Sequence, residues 1–98
     1  MAISFTRSII TRLEKEIADI HSLVRELKTK REKSLAKISQ LQRDQKVSQS
    51  VSDLSSKISR EIKLKKEVER INVLLTQSSK QLKEKQALLA QQQQKANE

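Results

Sequence analysis

The sequence predicts an all-α fold, an antiparallel two-helix coiled-coil hairpin that assembles into a larger helical bundle. Three observations predict it. The 98 residues contain no Gly and no Pro, the residues that supply the left-handed and fixed backbone angles of tight turns. The residues used instead, chiefly Leu, Ile, Lys, Glu, Gln, Arg and Ser, are mostly good helix formers. Aliphatic residues then recur every three and four positions over long stretches, which is the spacing of a helix with one apolar seam.

The first helix is predicted over about residues 4–45. Residues 1–13 hold Arg7 and Arg12 and no acid, a composition shared with mitochondrial presequences. The apolar spacing nevertheless runs from them into the next segment without a break, so they read as first helical turns. From Ile10 the seam continues through Leu13, Ile17, Ile20, Val24 and Leu27, meets Arg31 and Ser34, and recovers at Ile38 and Leu41. Leu35, one position off the seam, is a partial substitute in that polar heptad.

A turn is predicted at about residues 46–52, where serines cluster and compete with the backbone for hydrogen bonds. Ser50 followed by Asp53 resembles a capping box with Asp in place of Glu. The second helix is predicted over about residues 53–90. Its apolar positions are Val51, Leu54, Ile58, Ile62 with Leu64, Val68, Ile71, Leu75, Leu82 and Leu89. They imply a phase slip near Glu61–Lys65, which would locally unwind a supercoil, and a later seam containing Ser78 and Lys85. The hairpin thus spans residues 1–90, and the Gln-rich tail 91–98 is predicted to fray.

The interaction seam is accordingly Leu13, Ile17, Ile20, Val24, Leu27, Ile38 and Leu41 from helix one, with Leu54, Ile58, Val68, Ile71, Leu75 and Leu82 from helix two. A single continuous helix of about 145 Å, at ~1.5 Å per residue, is the competing reading. Register favours the hairpin. A reversal near Val47–Ser48 makes paired residue numbers add to about 95, which places Leu41 at Leu54, Ile38 at Ile58, Leu27 at Val68 and Leu13 at Leu82. Arg31 then faces Leu64, so the polar heptad lies beside the phase slip.

Composition excludes much. One aromatic, Phe5, in the whole chain rules out an ordinary globular core. Charged residues at 34% and a net charge of +9 also suit a disordered chain, but the regular aliphatic spacing argues against disorder for most of the length. Absence of Cys leaves no disulfide framework and fits a cytoplasmic location. No segment is apolar enough for a membrane span. With one histidine, His21, and no clustered ligands, neither nucleophilic catalysis nor a metal site is predicted. No cofactor, small-molecule substrate or enzymatic activity is expected.

Charge is the feature beyond helicity. Lys28, Lys30, Arg31, Lys33 and Lys37 form one basic run, and Lys57, Arg60, Lys63, Lys65 and Lys66 a second. In the register above they lie side by side as a belt able to bind anions. Phosphates of a nucleic acid are one such partner, although the aromatic stacking platforms of single-strand binders are missing. Phe5, Ile9, Leu23, Leu35, Val73, Leu74 and Leu88 fall off the seam and predict a second apolar contact, with another copy or with a helical protein partner.

Arg12-Leu-Glu-Lys-Glu-Ile-Ala-Asp19, a lysine-rich helix, and Ser50-Val-Ser-Asp-Leu-Ser-Ser-Lys-Ile-Ser-Arg-Glu-Ile62 together resemble the N-terminal coiled-coil module of bacterial TIR-type and other effector proteins. That resemblance covers roughly residues 8–90 and implies a bacterial module that oligomerises or docks. The chain ends where an effector domain would begin, so the resemblance implies a stand-alone version without the effector's activity. The sequence is thus read as a non-enzymatic oligomerisation or adaptor module. A basic nucleic-acid-binding or anion-binding helical protein, and a structural or secretion-associated component of a larger assembly, are the alternatives.

Overall fold

The computed structural model describes residues 2–97; Met1 and Glu98, the outer limits of the predicted hairpin and tail, lie outside them. Two α-helices make an antiparallel hairpin, α1 (Ala2–Lys46) and α2 (Val51–Asn97). The predicted all-α hairpin is therefore the fold. Helix α2 continues through the Gln-rich segment, where Gln92 and Ala96 are half-buried. It thus ends later than the predicted boundary near residue 90.

The reversal is made without a left-handed residue, since no residue among those described has positive φ. Helix α1 tightens as it ends: the amides of Val47 and Ser48 donate to the carbonyls of Asp44 and Gln45, both at 3.3 Å. Bonds of this shorter span satisfy carbonyls that the α-helical pattern leaves open. Arg43 and Lys46 lie in the same last turn, where cations offset the negative end of the helix dipole.

Ser50 then caps α2, its Oγ accepting from the Asp53 amide at 3.0 Å. Only that half of the capping box forms. The Asp53 carboxylate instead accepts from Ser48 Oγ at 2.5 Å and pairs with Lys57 at 2.7 Å. Lys57 Nζ also reaches the Asp44 carbonyl at 3.4 Å, so one lysine of α2 ties the end of α1 to the start of α2.

The chain divides into two compact units, Glu26–Leu74 around the turn and Met1–Arg25 with Leu75–Glu98 around the termini. Within the turn unit, Leu27, Ile38 and Ile71 are buried apolar residues and Ser34 is a buried polar one. Cross-helix bonds join Arg31 to Asn72 Oδ1 at 3.0 Å and Gln45 to Glu61 at 3.3 Å. Within the terminal unit Leu13, Ile20 and Ser78 are buried, and Lys85 pairs with Glu16 at 2.6 Å.

These bonds correct the register. The partner numbers add to 101 for both Lys57–Asp44 and Lys85–Glu16, to 103 for Arg31–Asn72 and to 106 for the long-reaching Gln45–Glu61, not to about 95. The offset is about one heptad. Seam still meets seam after such a slip, which is why apolar matching alone could not detect it. Arg31 thus bonds Asn72 and does not face Leu64; Leu64 lies level with Ile38 instead.

The seam of α2 is corrected as well. Ile58 and Ile62 are exposed, at 40% and 49%, while Lys57, Glu61 and Leu64 are half-buried. No phase slip exists. Leu54, Lys57, Glu61, Leu64, Val68 and Ile71 keep strict steps of three and four, with charged residues occupying two seam positions. Lys57 can do so because its aliphatic stem covers the seam while its ammonium reaches Asp53 and the Asp44 carbonyl. Glu61 can do so because its carboxylate, 13% exposed, accepts from Gln45 and pairs with Lys65 at 3.5 Å.

Candidate interaction site

The predicted seam is built from residues of differing depth. Leu13, Ile20, Leu27, Ile38 and Ile71 are buried; Ile17, Val24, Leu41, Leu54, Val68, Leu75 and Leu82 are half-buried; Ile58 lies outside it. No side chain among those described is completely enclosed, as expected when each helix packs against a single neighbour. Ser34, Ser78 and Lys85 lie on the seam as the spacing predicts, while Lys57 and Glu61 are seam members that the apolar reading passes over. The signal was available: extending the three-four step through polar residues reaches each of them.

Three carboxylates are tuned by this packing. The Lys85 ammonium, hydrogen-bonded to Glu16, holds that carboxyl below the ordinary glutamate value, with Arg12 adding to the effect. Lys57 first and the Ser48 hydroxyl second hold Asp53 below its ordinary value. Hydrogen bonds from Gln42 and Gln45, with Lys65 beside them, do the same for Glu61. In each case donors favour the charged form over the neutral one.

The basic belt is real as a charge excess but not as the predicted arrangement. Glu26–Leu74 carries 13 of the 21 Lys and Arg and 7 of the 12 acids, hence six of the nine net positive charges. The two runs are not side by side. The one-heptad correction staggers them, so residues 28–37 run beside 65–74 and residues 57–66 beside 36–45. Arg31, Lys57 and Lys65 are drawn into internal bonds with Asn72, Asp53 and Glu61. Lys28, Lys30, Lys33, Lys37, Arg60, Lys63 and Lys66 are exposed and, among the described residues, make no ion pair or hydrogen bond.

Where the staggered runs overlap, the helices leave a groove of about 430 Å³ within the turn unit. Leu41 and Leu64 line it together with Lys37, Gln40, Arg60 and Lys63. Three unpaired cations thus surround two half-buried leucines. This groove was not foreseen, because it depends on the corrected register.

Each helix also carries aliphatic side chains outside the seam. On α2, Leu74 and Leu88 are 46% and 48% exposed and two heptads apart; on α1, Leu23 is 45% exposed and Ile9, two heptads earlier, is half-buried. Phe5 is 70% exposed. His21 is exposed on α1, and no group of three or more His, Cys, Asp or Glu among the described residues could hold a metal ion. No helix among them is long and apolar enough to cross a membrane. Comparison with protein-family models, curated proteins and solved structures returns no match.

Proposed function

We propose that the chain is a non-enzymatic coiled-coil oligomerisation or adaptor module, which docks on another copy of itself or on a helical protein partner. The observation that carries this reading is the exposure of aliphatics outside the seam: in the terminal unit Leu88 on α2 and Leu23 on α1, with half-buried Ile9 two heptads before Leu23, and in the turn unit Leu74. Exposed apolar side chains outside the seam are the material of a second helix–helix contact. A two-helix seam with no completely enclosed side chain gains stability when such a contact forms, because helix stability comes mostly from tertiary packing. A bacterial module of the kind that accompanies TIR-type effectors, acting in the cytoplasm, fits this role.

Sedimentation equilibrium of the full chain at micromolar concentration tests it. A dimer or higher oligomer is expected, and Leu88→Lys or Leu23→Lys should dissociate it while Gln42→Lys leaves it intact. A fully helical monomer unaffected by these changes contradicts self-association.

The unpaired cations of Glu26–Leu74 favour a second reading, a nucleic-acid or other polyanion-binding protein. Affinity for mixed-sequence duplex DNA that falls steeply with salt, because phosphate contacts release counterions, and that persists at physiological ionic strength would put this reading first.

A further inference from the structure

The feature that neither the seam nor the off-seam aliphatics account for is the groove between α1 and α2 in the turn unit. Its floor is apolar, supplied by Leu41 and Leu64, and its rim carries Lys37, Arg60 and Lys63, with Gln40 as a neutral donor and acceptor. All three cations are exposed and none is in an ion pair among the described residues, although Arg60 lies near enough to Asp53 to favour its charged form. An occupant that neutralises the rim must be anionic, and one that dries the floor must also be apolar.

We propose that this groove docks an acidic amphipathic helix of a partner protein, one that presents aliphatic residues in seam spacing flanked by glutamates or aspartates. The proposal rests on the adaptor reading and names the chemistry of its partner. Charge complementarity decides the occupant. A second copy of this chain, at +9, brings more repulsion than attraction to a cationic rim. A nucleic acid would satisfy the cations but leave the leucine floor unused, since phosphates offer no aliphatic surface and no aromatic residue lines the groove for base stacking. An acidic helix uses both parts. Its aliphatic knobs extend the packing of Leu41 and Leu64 as a third strand of the coiled coil, and its carboxylates meet Lys37 and Lys63 as ion pairs and Arg60 as a bidentate pair.

The test uses the full-length chain and a fluorescent synthetic peptide of about three heptads with leucine at the a and d positions and glutamate at e and g, where mutual repulsion opposes self-pairing. Anisotropy titration should show saturable binding. Lys37→Glu, Arg60→Glu and Lys63→Glu together should weaken it about tenfold or more. Lys28→Glu, Lys30→Glu and Lys33→Glu, which change net charge equally, should weaken it less than about twofold. Exchanging the peptide leucines for serine should also cost about tenfold, a readout that leaves the protein untouched, while circular dichroism confirms that both charge variants keep their helicity.

Absence of peptide binding, equal loss from the two triple variants, indifference to the leucine-to-serine exchange, or preference for duplex DNA over the peptide would each overturn the proposal. Sedimentation of the chain alone separates this from the parent reading. A self-associating chain that ignores the peptide loses the groove but keeps its oligomerisation role. A monomer that binds the peptide keeps the groove.

Discussion

Replacing Ile71 and Ile58 separately by alanine distinguishes the observed seam from the one that apolar spacing suggests. Both are isoleucines on α2 that apolar spacing puts on the seam, and their environments differ. Ile71 is 5% exposed and Ile58 is 40% exposed. Ile71→Ala removes buried methyl groups and leaves a cavity, at a cost of about 2–5 kcal/mol for well-buried sites. A seam between only two helices can collapse more readily than a globular core, so the lower part of that range, about 2–3 kcal/mol, applies.

Ile58→Ala deletes side chain that is largely in water already, and alanine's better helix propensity returns several tenths of a kcal/mol. Its net cost should stay below about 0.5 kcal/mol, as for other surface positions. Thermal unfolding followed by far-UV circular dichroism reads the difference, since about 1 kcal/mol moves the midpoint of a domain this size by ~4–8 °C. Ile71→Ala should therefore lower the midpoint by about 8–24 °C, at fixed protein concentration, with Ile58→Ala within a few degrees of the parent. Equal losses, or a larger loss from Ile58→Ala, would refute the assignment of Lys57 and Glu61 to the seam.

Other consequences are as direct. Spin labels at Glu14 and Gln86 should lie closer together than labels at Glu14 and Ser79; a register adding to about 95 requires the reverse, since seven residues on a helix span ~10 Å. On acidification the thermal midpoint should hold through neutral pH and fall below about pH 4.5. Glu16, Glu61 and Asp53 have folded values depressed from 4.5, 4.5 and 3.8, so the stability they contribute is present above those values and lost as pH drops through the lower folded ones. Glu16→Gln, Asp53→Asn and Glu61→Gln combined should flatten that acid limb. Ser50→Ala removes the cap on the Asp53 amide and should cost about 0.5–2 kcal/mol in urea unfolding, with an unchanged m value.

The helices were legible in the sequence because their signals are local. Lack of Gly and Pro, good helix formers and three-four aliphatic steps all act within a few residues, and the serine cluster located the reversal to within a few positions. Register was not legible, because it is a relation between two distant segments with equivalent seams. A slip of one heptad returns nearly the same apolar matches, and the difference lies in polar partners such as Arg31–Asn72 and Lys85–Glu16. The interaction surfaces inherited that error. The positions of the basic runs along the chain are given by the sequence itself, yet their alignment, and with it the Leu41–Leu64 groove, requires the register to be right. Ile58 misled for a related reason: an apolar residue beside a lysine was preferred for the seam, although a lysine with nearby carboxylate and carbonyl acceptors can occupy it.

The polar heptad of α1 then acquires a purpose that spacing alone cannot reveal. Arg31 is half-buried on the seam, one turn from buried Ser34, and its guanidinium donates to Asn72 Oδ1 across the helix pair. An apolar residue at position 31 would bury more apolar surface, yet it would also pack well against Leu64 in the register one heptad away. A polar residue at a single seam position lowers stability while selecting one alignment, and the prediction is that Arg31 does so here, because the alternative register places Leu64 opposite it and removes Asn72 as its acceptor. Arg31→Leu should keep or raise the thermal midpoint while broadening the alignment. Labels at Lys37 and Glu67, close in the observed register, should gain a second, longer distance population from molecules slipped by one heptad, ~10 Å along the axis. A single short distance combined with a midpoint lowered by several degrees would show instead that Arg31–Asn72 is an ordinary stabilising bond, and that register is fixed elsewhere along the seam.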